Sequence, residues 1–150
     1  MSRISKKMMY ALEAVVDIAY NGGAEPAQSR DITKRQGIPQ RYLEQIMQRL
    51  VRAGVLKGVR GPRGGYRLAR ERRRITVGDV ARVVNEITEG EALEHMPCSE
   101  LADKVVRPLW HDIEVGVMAQ LDSITIEDLC RRAHARGVET NAGKKAHFDI

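Results

Sequence analysis

Cys98 is the one residue in this chain that combines a reactive side chain with other chemically capable groups close by in sequence. His95 precedes it by one helical turn's worth of residues, Glu94 and Glu100 flank it, and His111 follows in the next segment. A thiolate can ligate iron or act as a nucleophile. Cluster chemistry needs several such ligands converging, and nucleophilic catalysis needs a base with a third group to orient it. The second cysteine, Cys130, sits in "EDLCRRA", where a short helix would bury it as a structural residue. A different chemistry belongs to "VLKGVRGPRGGYRLARERRR", Val55 to Arg74, which sets seven arginines and one glutamate around glycines and one proline. Unpaired guanidinium groups are costly to desolvate, so this run must face water or a polyanion.

The charge distribution points the same way. Residues 1–87 hold 18 Lys+Arg against 8 Asp+Glu, and residues 88–150 hold 7 against 12, so a net +10 is followed by −5. A basic part joined to an acidic one suggests that the basic part has a partner of its own, most commonly nucleic acid. Aromatic residues make up only 4% of the chain, so aliphatic side chains must form its core. No apolar run approaches the ~20 residues of a membrane helix. Glu13 and Asp17 interrupt the apolar part of the N-terminus, which argues against a secretory signal. With two cysteines and no sign of export, a cytoplasmic protein is expected.

Ser5 is placed to cap a helix to about Asn21, with Leu12, Val15, Val16 and Ala19 on its apolar face and Gly22–Gly23 ending it. Ser29 opens a short helix closed at Gly37, and Pro39 suits the first turn of a third helix ending at Gly54. In that third helix Leu43, Ile46, Met47 and Leu50 recur at helical spacing. Two helices joined by the tight turn Gly37 to Pro39 match a helix-turn-helix. "VLKGVR" and "GYRLAR" around "GPRG" read as a hairpin whose glycines let backbone approach a phosphate. Thr76 with Asp79, and Thr125 with Asp128, have capping-box spacing for two further helices. Between them, Leu101, Val105, Leu109, Ile113, Val117 and Leu121 repeat every four residues on a long helix. The expected fold is mostly α with a small β-hairpin wing, a winged helix-turn-helix followed by a long C-terminal helix. The expected divisions are a DNA-binding domain at 1–87, a loop at 88–98, the long and short terminal helices at 99–136, and a disordered tail at 137–150.

Three segments carry a specific resemblance: "MSRISKKMMYALEAVVDIA", "ITKRQGIPQRYLEQIMQRLVRAGVLKGVRGPRGGYRLA" and "ITVGDVARVVNE". They closely resemble the Rrf2 family of bacterial winged-helix regulators over residues 1–87, and "LW.DI…L..ITIEDL" extends the likeness to about residue 130. The resemblance implies a homodimeric regulator that binds double-stranded DNA at a palindromic operator, with residues 88–98 as a sensor loop and the long helix as a dimerisation helix pairing antiparallel across the two-fold axis. It implies base contacts from Gln40, Arg41, Tyr42, Glu44 and Gln45, and wing contacts from Arg60, Gly61, Pro62, Arg63 and Gly64. The chemistry agrees: Arg41 could serve a guanine edge and Gln45 an adenine edge, while Glu44 either accepts from cytosine or repels wrong bases.

Members of the family that sense through an iron–sulfur cluster usually place three cysteines before the long helix. Aligned back from "LWHDI", Cys98 falls on the middle one, Lys104 on the third and Arg107 on a histidine ligand. Met8 and Met9 stand where some relatives carry an acidic ligand. A two-iron two-sulfur cluster here would therefore need unusual ligation through Cys98, with His95 or His111 as candidates. The alternative is a cluster-free regulator sensing by the Cys98 thiol or a protein partner. A small thiol enzyme has no orienting third group and no phosphate loop to support it. An RNA-binding module lacks aromatic stacking platforms. The implied regulon is iron–sulfur, iron or sulfur metabolism.

Overall fold

The computed structural model describes residues 5–23, 25–92 and 99–140. Helix α1 (Lys6–Asn21) starts where the Ser5 hydroxyl accepts the Met8 N–H at 3.2 Å. Helix α2 (Ser29–Gln36) ends at Gly37, whose φ of 67° only glycine adopts without strain, and α3 is Gln40–Arg52. Pro39 stands at the N-cap of α3 rather than in its first turn as expected. Its carbonyl accepts the Leu43 N–H at 3.1 Å, while the N–H it lacks is not missed outside the helix.

Strands β1 (Leu56–Val59) and β2 (Gly65–Leu68) form the expected antiparallel hairpin, with Leu56 opposite Leu68 and Val59 opposite Gly65. A turn of 3-10 helix (Arg72–Arg74) leads to α4 (Val77–Ala92). A π-helical turn (Ala102–Val106) runs directly into α5 (Arg107–Asp122), and α6 (Ile126–Ala135) closes the fold. Both capping boxes form: Thr76 and Asp79 exchange two bonds at 3.0 Å, and Thr125 and Asp128 do so at 2.9 and 3.0 Å.

Helix α1 is the hub, packed by α2, α3, α4, α6 and β2. Its buried face is Ala11, Ala14, Val15 and Ile18, shifted from the expected Leu12, Val15, Val16 and Ala19. Small alanines let several helices approach at once, and Leu12 and Ala19 become partly buried flanks. Ile32, Ile38, Leu43, Ile46, Met47, Leu50, Leu56, Ile75, Val80 and Ile126 complete the core. Cys130 lies in it, 3% exposed, as the sequence suggested.

Two segment boundaries differ from expectation. Helix α4 continues to Ala92, so the first residues of the expected 88–98 loop are helical. Glu89, Glu91 and Ala92 are good helix formers, and their intrinsic preference outlasts the apolar period that ends earlier. The start of the expected disordered tail is tied down. The Val138 N–H donates to the Ala133 carbonyl at 3.0 Å, and the Val138 carbonyl accepts from the Tyr20 hydroxyl. His95, Cys98 and residues 141–150 lie outside the described residues.

Among the described residues no helix is long and apolar enough to cross a membrane.

Candidate nucleic-acid interface

Helix α3 is amphipathic in the sense the interface requires. Leu43, Ile46, Met47 and Leu50 are buried, and Gln40, Arg41, Tyr42, Glu44 and Gln45 are exposed on its N-terminal turns. Tyr42, 44% exposed, leans on Tyr10 of α1 with ring centroids 6.1 Å apart. Arg41 and Gln45 have no partner among the described residues, so their hydrogen-bonding groups are free for a ligand. Gln40 is committed within the protein: its Oε1 accepts from the Thr33 hydroxyl at 3.0 Å and its Nε2 donates to Glu44 Oε1 at 3.0 Å.

The turn between α2 and α3 is positioned from α1. Asp17, with its side chain wholly buried, accepts from Arg35 Nε at 2.9 Å, Arg35 Nη2 at 2.7 Å and Gln36 Nε2 at 2.7 Å. That hydrogen-bonded carboxylate raises the pKa of the Arg35 guanidinium above its ordinary value. Sequence reasoning missed this group. Its one signal was an aspartate inside the apolar stretch of α1, one helix before a basic "TKRQ".

The wing holds Arg60, Gly61, Pro62 and Arg63 exposed at its tip, with Gly64 half-buried. Ala27 pairs with Tyr66 through bonds of 2.9 and 2.8 Å, so the segment before α2 acts as a further bridge that braces β2. This explains two of the glycines differently from the expected close approach to phosphate. A Cβ at Gly64 would stand 2.2 Å from the Val59 carbonyl oxygen, and one at Gly65 would stand 2.3 Å from that of Ala27. The protein's own backbone requires them. At the tip Gly61 stays open toward an outside partner, with nothing within 4 Å of its Cβ position, as does Gly58 in β1.

The arginines divide into two groups. Arg60 has no partner among the described residues, and Arg63 reaches Glu25 only at 3.9 Å with both side chains largely exposed. Such a surface pair is worth about 0–1 kcal/mol and yields readily to a phosphate. Past the wing, Arg70 donates to Asp79 at 3.4 Å and to the Arg74 carbonyl at 3.3 Å, and Arg73 bonds Glu71 at 2.5 Å. Arg72 approaches Glu127 at 3.9 Å and lies beside the Cys130 thiol. Arg70 and Arg72 therefore lean the wing root toward α4 and α6, while Arg73 pairs locally with Glu71.

Of the candidate cluster positions the described residues include Met8, Met9, Glu100, Lys104, Arg107 and His111. Lys104 bonds Glu100 at 2.6 Å and Arg107 bonds Asp103 at 2.8 Å. Both are cations without a lone pair to give, so these two positions do not fit a cluster. Among the described residues no group of three or more His, Cys, Asp or Glu side chains is arranged to hold a metal ion.

Three helices with a tight turn before the third, followed by a basic hairpin braced against them, define a winged helix-turn-helix protein. Residues 4–132 match the profile of Rrf2, described as an iron-dependent transcriptional regulator. The chain is 33% identical over 146 residues to the HTH-type transcriptional regulator IscR of Cronobacter sakazakii, covering 97% of this chain and 90% of that protein. Against IscR of Photobacterium profundum it is 36% identical over 130 residues, 86% and 76% of the two chains. The structure of T. potens IscR matches with a TM-score of 0.72 at 34% identity, covering 94% of this chain and 95% of that one. CymR, the global cysteine regulator of B. subtilis, matches with a TM-score of 0.66 at 35% identity, over 88% and 98%. The chain belongs to the Rrf2 family. It is an IscR- and CymR-like transcriptional regulator, a membership that implies DNA binding, and these relatives are regulators rather than enzymes.

Proposed function

We propose that this chain acts as a cytoplasmic homodimer on a palindromic operator, with α3 in the major groove and the wing tip against the flanking minor groove. The observation that carries the reading is the division of α3. Its aliphatic face is sealed into the core, while Arg41, Tyr42, Glu44 and Gln45 stand in solvent on the turns that meet base edges in such docking. Exposed Arg60 and Arg63 on a protruding hairpin supply the backbone contacts that set affinity and register.

A second copy of the chain is the occupant that fits α5. Leu101, Val105, Leu109, Trp110, Ile113 and Val117 are 45–66% exposed, a contiguous apolar surface larger than scattered exposure explains. On an unbroken α-helix a four-residue repeat drifts by about 40° per step. The π-helical turn Ala102–Val106 takes up extra residues near the start of the stripe and swings it back. Trp110 does not reach the core, which leaves it for the seam.

The iron-dependent description of the family and the likeness to a cysteine regulator support a regulon in iron–sulfur, iron or sulfur metabolism. The signal is assigned to Cys98. A cluster there would draw on Cys98, His95, His111 or a carboxylate, because Lys104 and Arg107 are cations; otherwise the thiol itself or a protein partner carries the signal.

Anisotropy of labelled duplexes from the protein's own promoter region tests the core reading. Tight binding with a steep salt dependence is expected, and silence toward every duplex in both oxidised and reduced protein rejects it. Iron and sulfide content after purification without oxygen tests the cofactor. Matched iron and sulfide in a brown protein supports the cluster, and a colourless, responsive protein supports the thiol or partner.

A further inference from the structure

We infer that Gln40 is a positioning residue that fixes the Glu44 carboxylate for base discrimination, instead of reading a base itself. This rests on α3 being the DNA-facing helix.

Gln40 and Glu44 are four residues apart on α3 and so share one face. The Gln40 amide is oriented from both ends. Its Nε2 donates to Glu44 Oε1 at 3.0 Å and lies 3.5 Å from Ser29 Oγ. Its Oε1 faces the Thr33 hydroxyl at 3.0 Å, whose single proton is shared with the Ser29 carbonyl at 2.9 Å. Flipping the amide would set its oxygen against the carboxylate, so Glu44 decides the orientation. Thr33 and Ser29 belong to α2. The chain of bonds therefore ties a side chain of the recognition helix to the helix behind it.

With Oε1 engaged, Glu44 retains Oε2 as its open acceptor. An acceptor held there can take an amino proton of cytosine, or of adenine beside its N7 acceptor, and it faces repulsion from the acceptor edge of guanine and the carbonyl of thymine. A carboxylate that swings freely can turn away from a wrong base into water. One held by Gln40 can do so only by giving up a bond, so the clamp converts repulsion into selectivity. This combines two roles that the residue type alone leaves open: Glu44 accepts from an amino-bearing base and repels guanine and thymine because it cannot retreat.

The test is selection from a duplex library with randomised palindromic half-sites, followed by competition among the four bases at the position Glu44 governs. Wild type is expected to favour an amino-bearing base, cytosine or adenine, over guanine and thymine by about tenfold or more there. Glu44→Ala should lose that preference. Gln40→Leu should reduce it to a few-fold, and Gln40→Glu, which sets two carboxylates together, should abolish it. Preferences at the other positions should stay as in wild type, which a general disturbance of the fold would not allow. Thr33→Val, which keeps shape and removes the hydroxyl, should give a partial loss. In the Glu44→Ala background, Gln40→Leu should change nothing more. If Gln40→Leu shifts preference equally with and without Glu44, Gln40 reads a base directly and the clamp is rejected. If Glu44→Ala alters selection and Gln40→Leu does not, the clamp alone is wrong. If Glu44→Ala leaves selection unaltered at every position, the placement of α3 fails along with it.

Discussion

Asp17 of α1 and Arg35 of α2 form a two-bonded ion pair at 2.7 and 2.9 Å, with the carboxylate wholly buried and the guanidinium one-fifth exposed. The pair pins the helix-turn-helix to α1, and Gln36 supplies a third bond to the same carboxylate. A buried charge with all its partners in place mainly fixes geometry, because the desolvation cost offsets much of the attraction.

Removing one partner is a different matter. Asp17→Ala leaves Arg35 without its acceptor, and a loss of about 3–5 kcal/mol is expected. Urea unfolding of the variant and wild type measures it. A loss below about 1 kcal/mol would show that Arg35 escapes to solvent and that the pair does not hold α2.

Acid should loosen the joint between α4 and α5. Arg82 donates to Asp122 at 2.9 and 2.6 Å, and this bonding lowers the Asp122 pKa below its ordinary 3.8. The backbone and hydroxyl bonds of the Thr125 box lower that of Asp128. For a carboxylate depressed in the folded state, the stabilisation is present above the unfolded value and disappears as pH falls through the folded one. The gap in melting temperature between wild type and Asp122→Asn should therefore be open at about pH 5 and close as the pH drops below about 3.8. An equal gap at both ends would mean that the pairing does not contribute.

At the wing, Arg60→Ala should weaken binding to all duplexes alike and reduce the salt slope by about 1. Affinity measured against salt for several sequences checks this. A loss confined to one base position would make Arg60 a base reader.

Burial raises the Cys130 thiol pKa, against the opposing influence of Arg72. In a Cys98→Ser background, alkylation at mildly alkaline pH should be slow in the native protein and become fast only through the unfolding transition. Rapid native labelling would place Cys130 nearer to solvent than its core position allows.

What could be read in the linear chain was whatever rests on neighbours within a turn of helix. Ser5, the Thr76–Asp79 box, the Thr125–Asp128 box and the apolar positions of α3 involve residues three or four apart, so local rules locate them. The basic hairpin was legible for the same reason, since its charges and glycines are contiguous. The packing of the elements decided the remainder. Asp17 with Arg35, Ala27 with Tyr66 and Arg82 with Asp122 are 18, 39 and 40 positions apart and meet only when their elements dock. The same docking chose which alanines of α1 go inside and turned Arg70 and Arg72 toward α4 and α6. It also separated Gln40 from the other exposed residues of α3, because α2 stands behind that one position. Sequence specifies a side chain's chemistry and its near neighbours; which distant group satisfies it is decided by burial, where an unmatched charge or amide costs too much to remain.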